Sequence, residues 1–362
     1  TPGIRAGVKP GSEFHMVEYF GPILGVMRAD TLEEAVDMQN GTDFGLTAGI
    51  HSLSHDEIEY WIDHVEAGNT YVNRGITGAI VRRQPFGGWK LSSVGATAKA
   101  GGPNYLYSFG TLVPEVLDEG SVATVESVEA ADITKPQLRE LLELVDELQS
   151  SNTLDKAQAA KVREAVVNAD RAARDEFDLM NDPSGLKAER NVLRYIPTDA
   201  VIRMEGEQDL GDLLTVVAAA VATGTFERVG RQTVRVAPGQ SDPSALETEG
   251  ITISTPSALP KEVFRWAVRH GFELEVEGHS EFHERLATDN LGDELRVRAI
   301  GLDRAQIQKE LGGDISVSIW DGPVTTAARI EALPFLREQA ASLTTHRFGN
   351  PTQVTRGILE PS

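Results

Sequence analysis

The stretch from Gly68 to Tyr105, GNTYVNRGITGAIVRRQPFGGWKLSSVGATAKAGGPNY, restricts the fold more than any other part of the chain. Asn69–Asn73 follows a glycine able to stop a helix, and its alternating β-formers read as a buried strand. A Gly-punctuated loop comes next, Gly75-Ile76-Thr77-Gly78-Ala79. Glycines at 75 and 78 open backbone conformations and close approaches denied to other residues. Such a loop is either a plain surface turn or a nest whose bare N–H groups face an anion. Gln84-Pro85-Phe86-Gly87-Gly88 and a second Gly-rich run ending Gly101-Gly102-Pro103 complete the stretch.

Around it the chain alternates strands and helices. Ile23–Met27 reads as a short strand. Thr31-x-x-Glu34 reads as a capping box opening a helix. Leu46–Ser52 reads as a strand, and Ser54-x-x-Glu57 as a second capping box. The helix it opens carries Ile58, Trp61, Ile62 and Val65 on one face. From Thr111 to Thr134 the chain turns acidic and reads as a connecting segment. Two helices follow, one starting at Thr134-Lys135-Pro136 and one from about Leu154 to Met180, ended by Asp182-Pro183-Ser184-Gly185. Strands are expected at Ala200–Met204, Ile251–Ser254, Phe272–Val276, Leu295–Ile300 and Ile315–Ile319. Helices are expected over Leu213–Val221, which is apolar enough to be buried, and over Pro260–His270. This is the rhythm of a doubly wound α/β sheet.

Composition excludes several functions. The net charge is -21, and most of the acid excess lies after residue 110, so a phosphate backbone is repelled and nucleic acid is not an expected partner. No run approaches the ~18 apolar residues of a membrane helix. The start, TPGIRAGVKPGSEF, has no signal-like apolar core and no Met, so the chain is expected to begin inside a longer one. There is no cysteine, which removes disulfides, thiolate metal sites and a cysteine nucleophile. Neither G-x-G-x-x-G nor a P-loop occurs.

The order Glu18-x-Phe20-Gly21-Pro22, then Asn69 to Asn73, then Gln84-Pro85-Phe86-Gly87-Gly88 resembles the C-terminal part of an aldehyde dehydrogenase catalytic domain. The run from Tyr71 to Val81 narrows the likeness to the L-glutamate γ-semialdehyde (Δ1-pyrroline-5-carboxylate) dehydrogenases, including the long bifunctional proline utilization A proteins. Close resemblance covers roughly the first 110 residues. The architecture it implies is α/β throughout. Residues 1–110 are a partial aldehyde dehydrogenase catalytic domain, and 111–190 an acidic linker and helical hairpin. Residues 191–345 resemble, more weakly, a Rossmann-like non-catalytic C-terminal domain, with 346–362 as a tail.

The resemblance also implies roles. Glu18 accepts hydrogen bonds from the ribose on the nicotinamide side of NAD, and Phe20 limits where the nicotinamide rests. On the residues alone, Glu18 is a solvated acid and Phe20 a core residue. Gly78 and Ala79 offer backbone N–H groups to the α-carboxylate of L-glutamate γ-semialdehyde. Phe86 either walls the aldehyde pocket or packs in the core. Arg74, Arg82 and Arg83 read as interface or solvated residues. No catalytic residue is expected in this chain, because the family's cysteine and most of its NAD domain lie upstream. The isolated chain is therefore expected to be inactive. Expected partners are the remaining dehydrogenase and proline dehydrogenase domains, the latter with FAD, and a second copy in a homodimer, in the cytoplasm. An alternative role is a non-enzymatic module covering a substrate-channelling cavity, with Leu213–Val221 and the Phe335–Phe348 tail as packing anchors.

Other constellations are weaker. His279-x-x-x-His283 is spaced as a metal pair on one helix face, but the sequence indicates no third ligand. Solvated polar residues are the plainer reading, and no metal site is expected. Asp314, Asp321 and Glu338 are isolated carboxylates in an acidic chain.

Overall fold

The computed structural model describes residues 1–110, 112, 132–206, 210–224, 250–288 and 295–361. The acidic connecting segment lies almost wholly outside the described residues. The chain divides into two compact units. The first comprises residues 1–109, 180–194 and 338–362, and the second 110–179 and 195–337.

In the first unit the helices form where the sequence predicts, over Leu32–Asn40 and His55–His64. Each expected capping box is made by half. Thr31 Oγ1 accepts from Glu34 N at 3.1 Å and Ser54 Oγ from Glu57 N at 3.4 Å. The returning carboxylates go elsewhere, Glu34 to Asp30 N at 2.6 Å and Glu57 to the Ser52 hydroxyl. Ile58, Trp61 and Ile62 point from the second helix into a core with Val36, Val65, Val72 and Leu343. Asn69–Val72 is buried at every position. It pairs in parallel with Thr47–Ile50 on one side and with Ala340–Leu343 of the strand Leu336–Thr344 on the other. Glu189–Pro197 completes this sheet, whose order is Thr47–Ile50, Asn69–Val72, Leu336–Thr344, Glu189–Pro197. A separate parallel pair, Gly3–Ala6 with Ile23–Val26, is exposed along its whole length.

The second unit holds a five-stranded parallel sheet. Its order is Glu273–Val276, Ile251–Thr255, Ala200–Met204, Leu295–Ile300, Val317–Trp320. The chain fills one side from Ala200–Met204 outward, then returns to the other side of that same strand, as a doubly wound sheet does. The helices Pro136–Ser150, Lys156–Ala172, Leu210–Ala222 and Lys261–Arg269 share one core. The helical pair expected as a connector is thus part of this unit's packing. Its second helix starts with a full capping box, Asp155 with Gln158. The helix Leu210–Ala222 is buried all round by its own unit. That corrects its reading as a packing anchor, since its apolar surface is already used.

On the opposite face, Phe282, Leu286 and Ile307 pack against Val201, Val297 and Ile319. Here the sequence expectation for His283 fails. The helix His279–Thr288 turns that residue inward, and it is 8% exposed rather than solvated. Buried charge pairs on this unit include Arg298 with Glu331, and Glu277 with Arg285 through two hydrogen bonds of 3.0 and 2.7 Å. Burial alone raises the Glu277 carboxyl, but hydrogen bonds from Arg285 and Ser254, with the Arg285 and Arg203 charges, hold it below its ordinary value. Among the described residues no helix is long and apolar enough to cross a membrane.

Candidate active-site segment

The loop after Asn69–Val72 is fixed at its base and open at its tip. Asn73 starts it with φ 56°, a left-handed turn that asparagine tolerates. Its side-chain amide closes on Ser52, accepting from N at 3.0 Å and donating to O at 2.9 Å. At the far end, Asn69 donates to Pro85 O at 3.0 Å and accepts from Gly87 N at 3.1 Å. Gln84 donates to Asn191 Oδ1 at 2.6 Å and accepts from Ile80 N at 2.9 Å. Arg74 and Arg83 both pair with Glu189, Arg74 at 2.6 Å. Those two cations are used in ion pairs within the unit, where the sequence suggested interface or solvated residues.

Between these ties lie Gly78 and Ala79, both exposed. Gly78 has φ +83°, and a Cβ there would meet no atom within 4 Å. The amides of Gly78 and Ala79 have no hydrogen-bond acceptor among the described residues. They are not used in sheet pairing, so they are free to meet an anion. Phe86 exchanges two 2.9 Å backbone hydrogen bonds with Ala100, and the residue is 38% exposed, so it belongs to the surface beside the loop rather than to the core.

Beneath the loop sits Lys99, whose role sequence reasoning missed. Its ammonium donates to Asn69 Oδ1 at 3.1 Å and to Gly87 O, and it is almost wholly buried. Burial pulls its pKa down to about 7, against the pull of the Glu338 carboxylate. Glu338 itself accepts from Lys99 N at 3.0 Å and from Asn104 Nδ2 at 3.0 Å, so it braces the second Gly-rich run. Nothing in the local sequence signals this, because Lys99 and Glu338 meet only once the strand Leu336–Thr344 is in place.

Glu18 and Phe20 lie in the open segment before Ile23–Val26. Phe20 is 93% exposed, which corrects its reading as a core residue on composition alone. Glu18 is exposed and makes no hydrogen bond or ion pair among the described residues. The pair suits a nucleotide: an acceptor-only carboxylate takes ribose hydroxyls, and a bare ring faces a flat heterocycle. Among the described residues no hydrogen bond or ion pair joins them to the 74–87 loop. An open cleft of ≈ 400 Å³ in the same unit lies elsewhere, lined by His51, Ser52, Asn73, Thr344, His346 and Arg347 among others, and includes none of the five expected site residues.

Residues 1–111 match the model of the aldehyde dehydrogenase family. Over 108 residues the chain is 39% identical to 1-pyrroline-5-carboxylate dehydrogenase of Staphylococcus haemolyticus, covering 30% of this chain and 21% of that protein. Over 111 residues it is 40% identical to the Staphylococcus aureus protein of the same name, with the same coverage. The chain thus spans about a fifth of the length of these relatives. Among solved structures, proline utilization A from Corynebacterium freiburgense aligns with 96% of this chain and 28% of its own, with a TM-score of 0.61 and 34% identity. The α/β fold with parallel sheets is therefore that of the matching stretch of this proline utilization A. Residues 1–111 are thus similar to a segment of the aldehyde dehydrogenases, in a chain that is similar along nearly its whole length to a stretch of proline utilization A.

Proposed function

We propose that this chain is one part of an NAD-dependent dehydrogenase that oxidises L-glutamate γ-semialdehyde to L-glutamate in proline catabolism. The catalytic cysteine and most of the NAD domain come from polypeptide outside these 362 residues. The observation that carries the reading is the exposed parallel pair Gly3–Ala6 and Ile23–Val26. Parallel strands are stable when both faces are covered, and two strands alone are marginal. Ile4 is 75% exposed here, Leu24 56% and Ile23 50%, so this element needs apolar surface that the described residues do not supply. The missing part of a dehydrogenase supplies it.

Within that assembly, Glu18 holds the nicotinamide ribose and Phe20 sits beside the nicotinamide. NAD, when bound, accepts hydride. The amides of Gly78 and Ala79 hold the substrate's α-carboxylate at a fixed distance from its aldehyde. An aldehyde without the carboxylate leaves those donors unpaired, which is how the loop discriminates. Phe86 borders the same substrate.

The test replaces the aligned segment of the S. haemolyticus protein with residues 1–111. The chimera should oxidise L-glutamate γ-semialdehyde with NAD. Ala79→Pro deletes one N–H donor and should lower kcat/KM for that substrate by about 10- to 100-fold. An aldehyde lacking the carboxylate should lose far less. Equal losses for both substrates would remove the carboxylate from the account.

A further inference from the structure

The geometry points to a divalent transition-metal site, of the kind zinc occupies, formed by His279, His283 and Glu310 in the second unit. Their ligand atoms lie within 4.8 Å of one another. The two histidines are one turn apart on the helix His279–Thr288, with ring centroids 4.3 Å apart. The third ligand is the last residue of the helix Arg304–Glu310. One Glu310 oxygen lies 3.7 Å from His279 Nε2, and the other touches His283 Nδ1. Ligands of a tetrahedral ion at about 2.1 Å stand roughly 3.4 Å from each other, so small side-chain rotations close the set.

Two further observations separate this cluster from a solvated histidine pair. The first is His283, which is 8% exposed, yet neither of its ring nitrogens has a hydrogen-bond partner among the described residues. Its approach to Glu310 is close but not aligned as a hydrogen bond. A buried imidazole without partners is costly, and a metal ion is one group that resolves the cost. The second is the arrangement behind His279. Its Nδ1 is 3.2 Å from Glu205 Oε1, while Arg203 holds Glu205 Oε2 at 2.9 Å. Arg203 is fully buried and donates also to Ser254 and to Glu277 O, each at 2.9 Å, so the carboxylate is anchored. A carboxylate on Nδ1–H puts the lone pair on Nε2, the nitrogen that faces Glu310. Gln306 Nε2, 3.3 Å from the same nitrogen, is an amide donor facing that lone pair.

The place in the fold agrees. Glu205 follows the C-terminal end of Ala200–Met204, and its N–H bonds to Ile300 O at the end of Leu295–Ile300. These are the two strands between which the winding of the sheet reverses, where open α/β sheets bind their ligands. Three protein ligands leave the fourth tetrahedral position to water. The ion links two helices that cover one face of the sheet.

The experiment uses the untagged full chain, stripped with a chelator and titrated with Zn²⁺ against a chromophoric competitor. One Zn²⁺ per chain is expected, and Co²⁺ in its place should give the visible bands of a tetrahedral nitrogen–oxygen site. His279→Gln and Glu310→Gln, at partly exposed positions, should each abolish uptake, and Glu205→Gln should weaken it about 10- to 100-fold. Zn²⁺ should raise the Tm of the wild type and leave that of Glu310→Gln unchanged. Absence of Co²⁺ bands and of Zn²⁺ uptake in the wild type overturns the site, whatever the variants do. Wild-type affinity in both His279→Gln and Glu310→Gln overturns it equally.

Discussion

Lys99 is almost wholly buried, its amine held by Asn69 Oδ1 and Gly87 O and cut off from water. Its folded pKa of about 7 lies well below the value of 10.5 for an ordinary lysine. Above about pH 10.5 the group is neutral in both states and adds no pH dependence. As pH falls from there toward 7, the unfolded chain binds the proton and the folded chain does not, so stability is lost across that window. Stability therefore rises from pH 7 toward pH 10 through this residue. Lys99→Met should flatten the rise, read as urea midpoints of the two proteins at several pH values; identical slopes would remove the buried ammonium as its cause. At this scale the legible residues were those whose chemistry is local. The Gly78–Ala79 turn showed itself through glycine spacing, and Gln84-Pro85-Phe86 through motif order. Lys99 with Glu338, and His279 with Glu310, were not legible, because each pair is joined by strand or helix placement across many residues.

Among the elements, those with a local period were readable. The strand at Asn69–Val72 alternates β-formers, the helix His55–His64 carries an apolar stripe, and Pro136 stands in the first turn of its helix. The strand Leu336–Thr344 was missed. Its partner, Asn69–Val72, is far away in sequence, and parallel pairing leaves no turn signal nearby. The element that ties strand to loop is Gly68. A Cβ at this position would lie 2.0 Å from Gly87 O and 2.9 Å from Lys99 Nζ. The obstruction is backbone, which cannot swing aside as a side chain does, and the loop base held by Asn69 would have to move. Gly68→Ala should therefore destabilise the first unit by about 2–3 kcal/mol. The urea midpoint measures it, and a midpoint equal to wild type would show that the loop base yields freely.

For the molecule as a whole, the α/β class followed from alternation of strand and helix patterns. The division into units did not, since residues 180–194 and 338–362 cluster with the first 109 rather than with their neighbours in sequence. Chain order is a poor guide where a late strand enters an early sheet. In the proposed assembly this chain contributes the cofactor-ribose carboxylate and the carboxylate-binding turn, and the reacting sulfur is supplied from elsewhere. The most direct measurement incubates the purified chain with L-glutamate γ-semialdehyde and NAD, alone and together with the cysteine-containing remainder of a 1-pyrroline-5-carboxylate dehydrogenase. NADH should form in the mixture and not from the chain alone; sustained turnover by the chain with no other polypeptide present rules this assembly out.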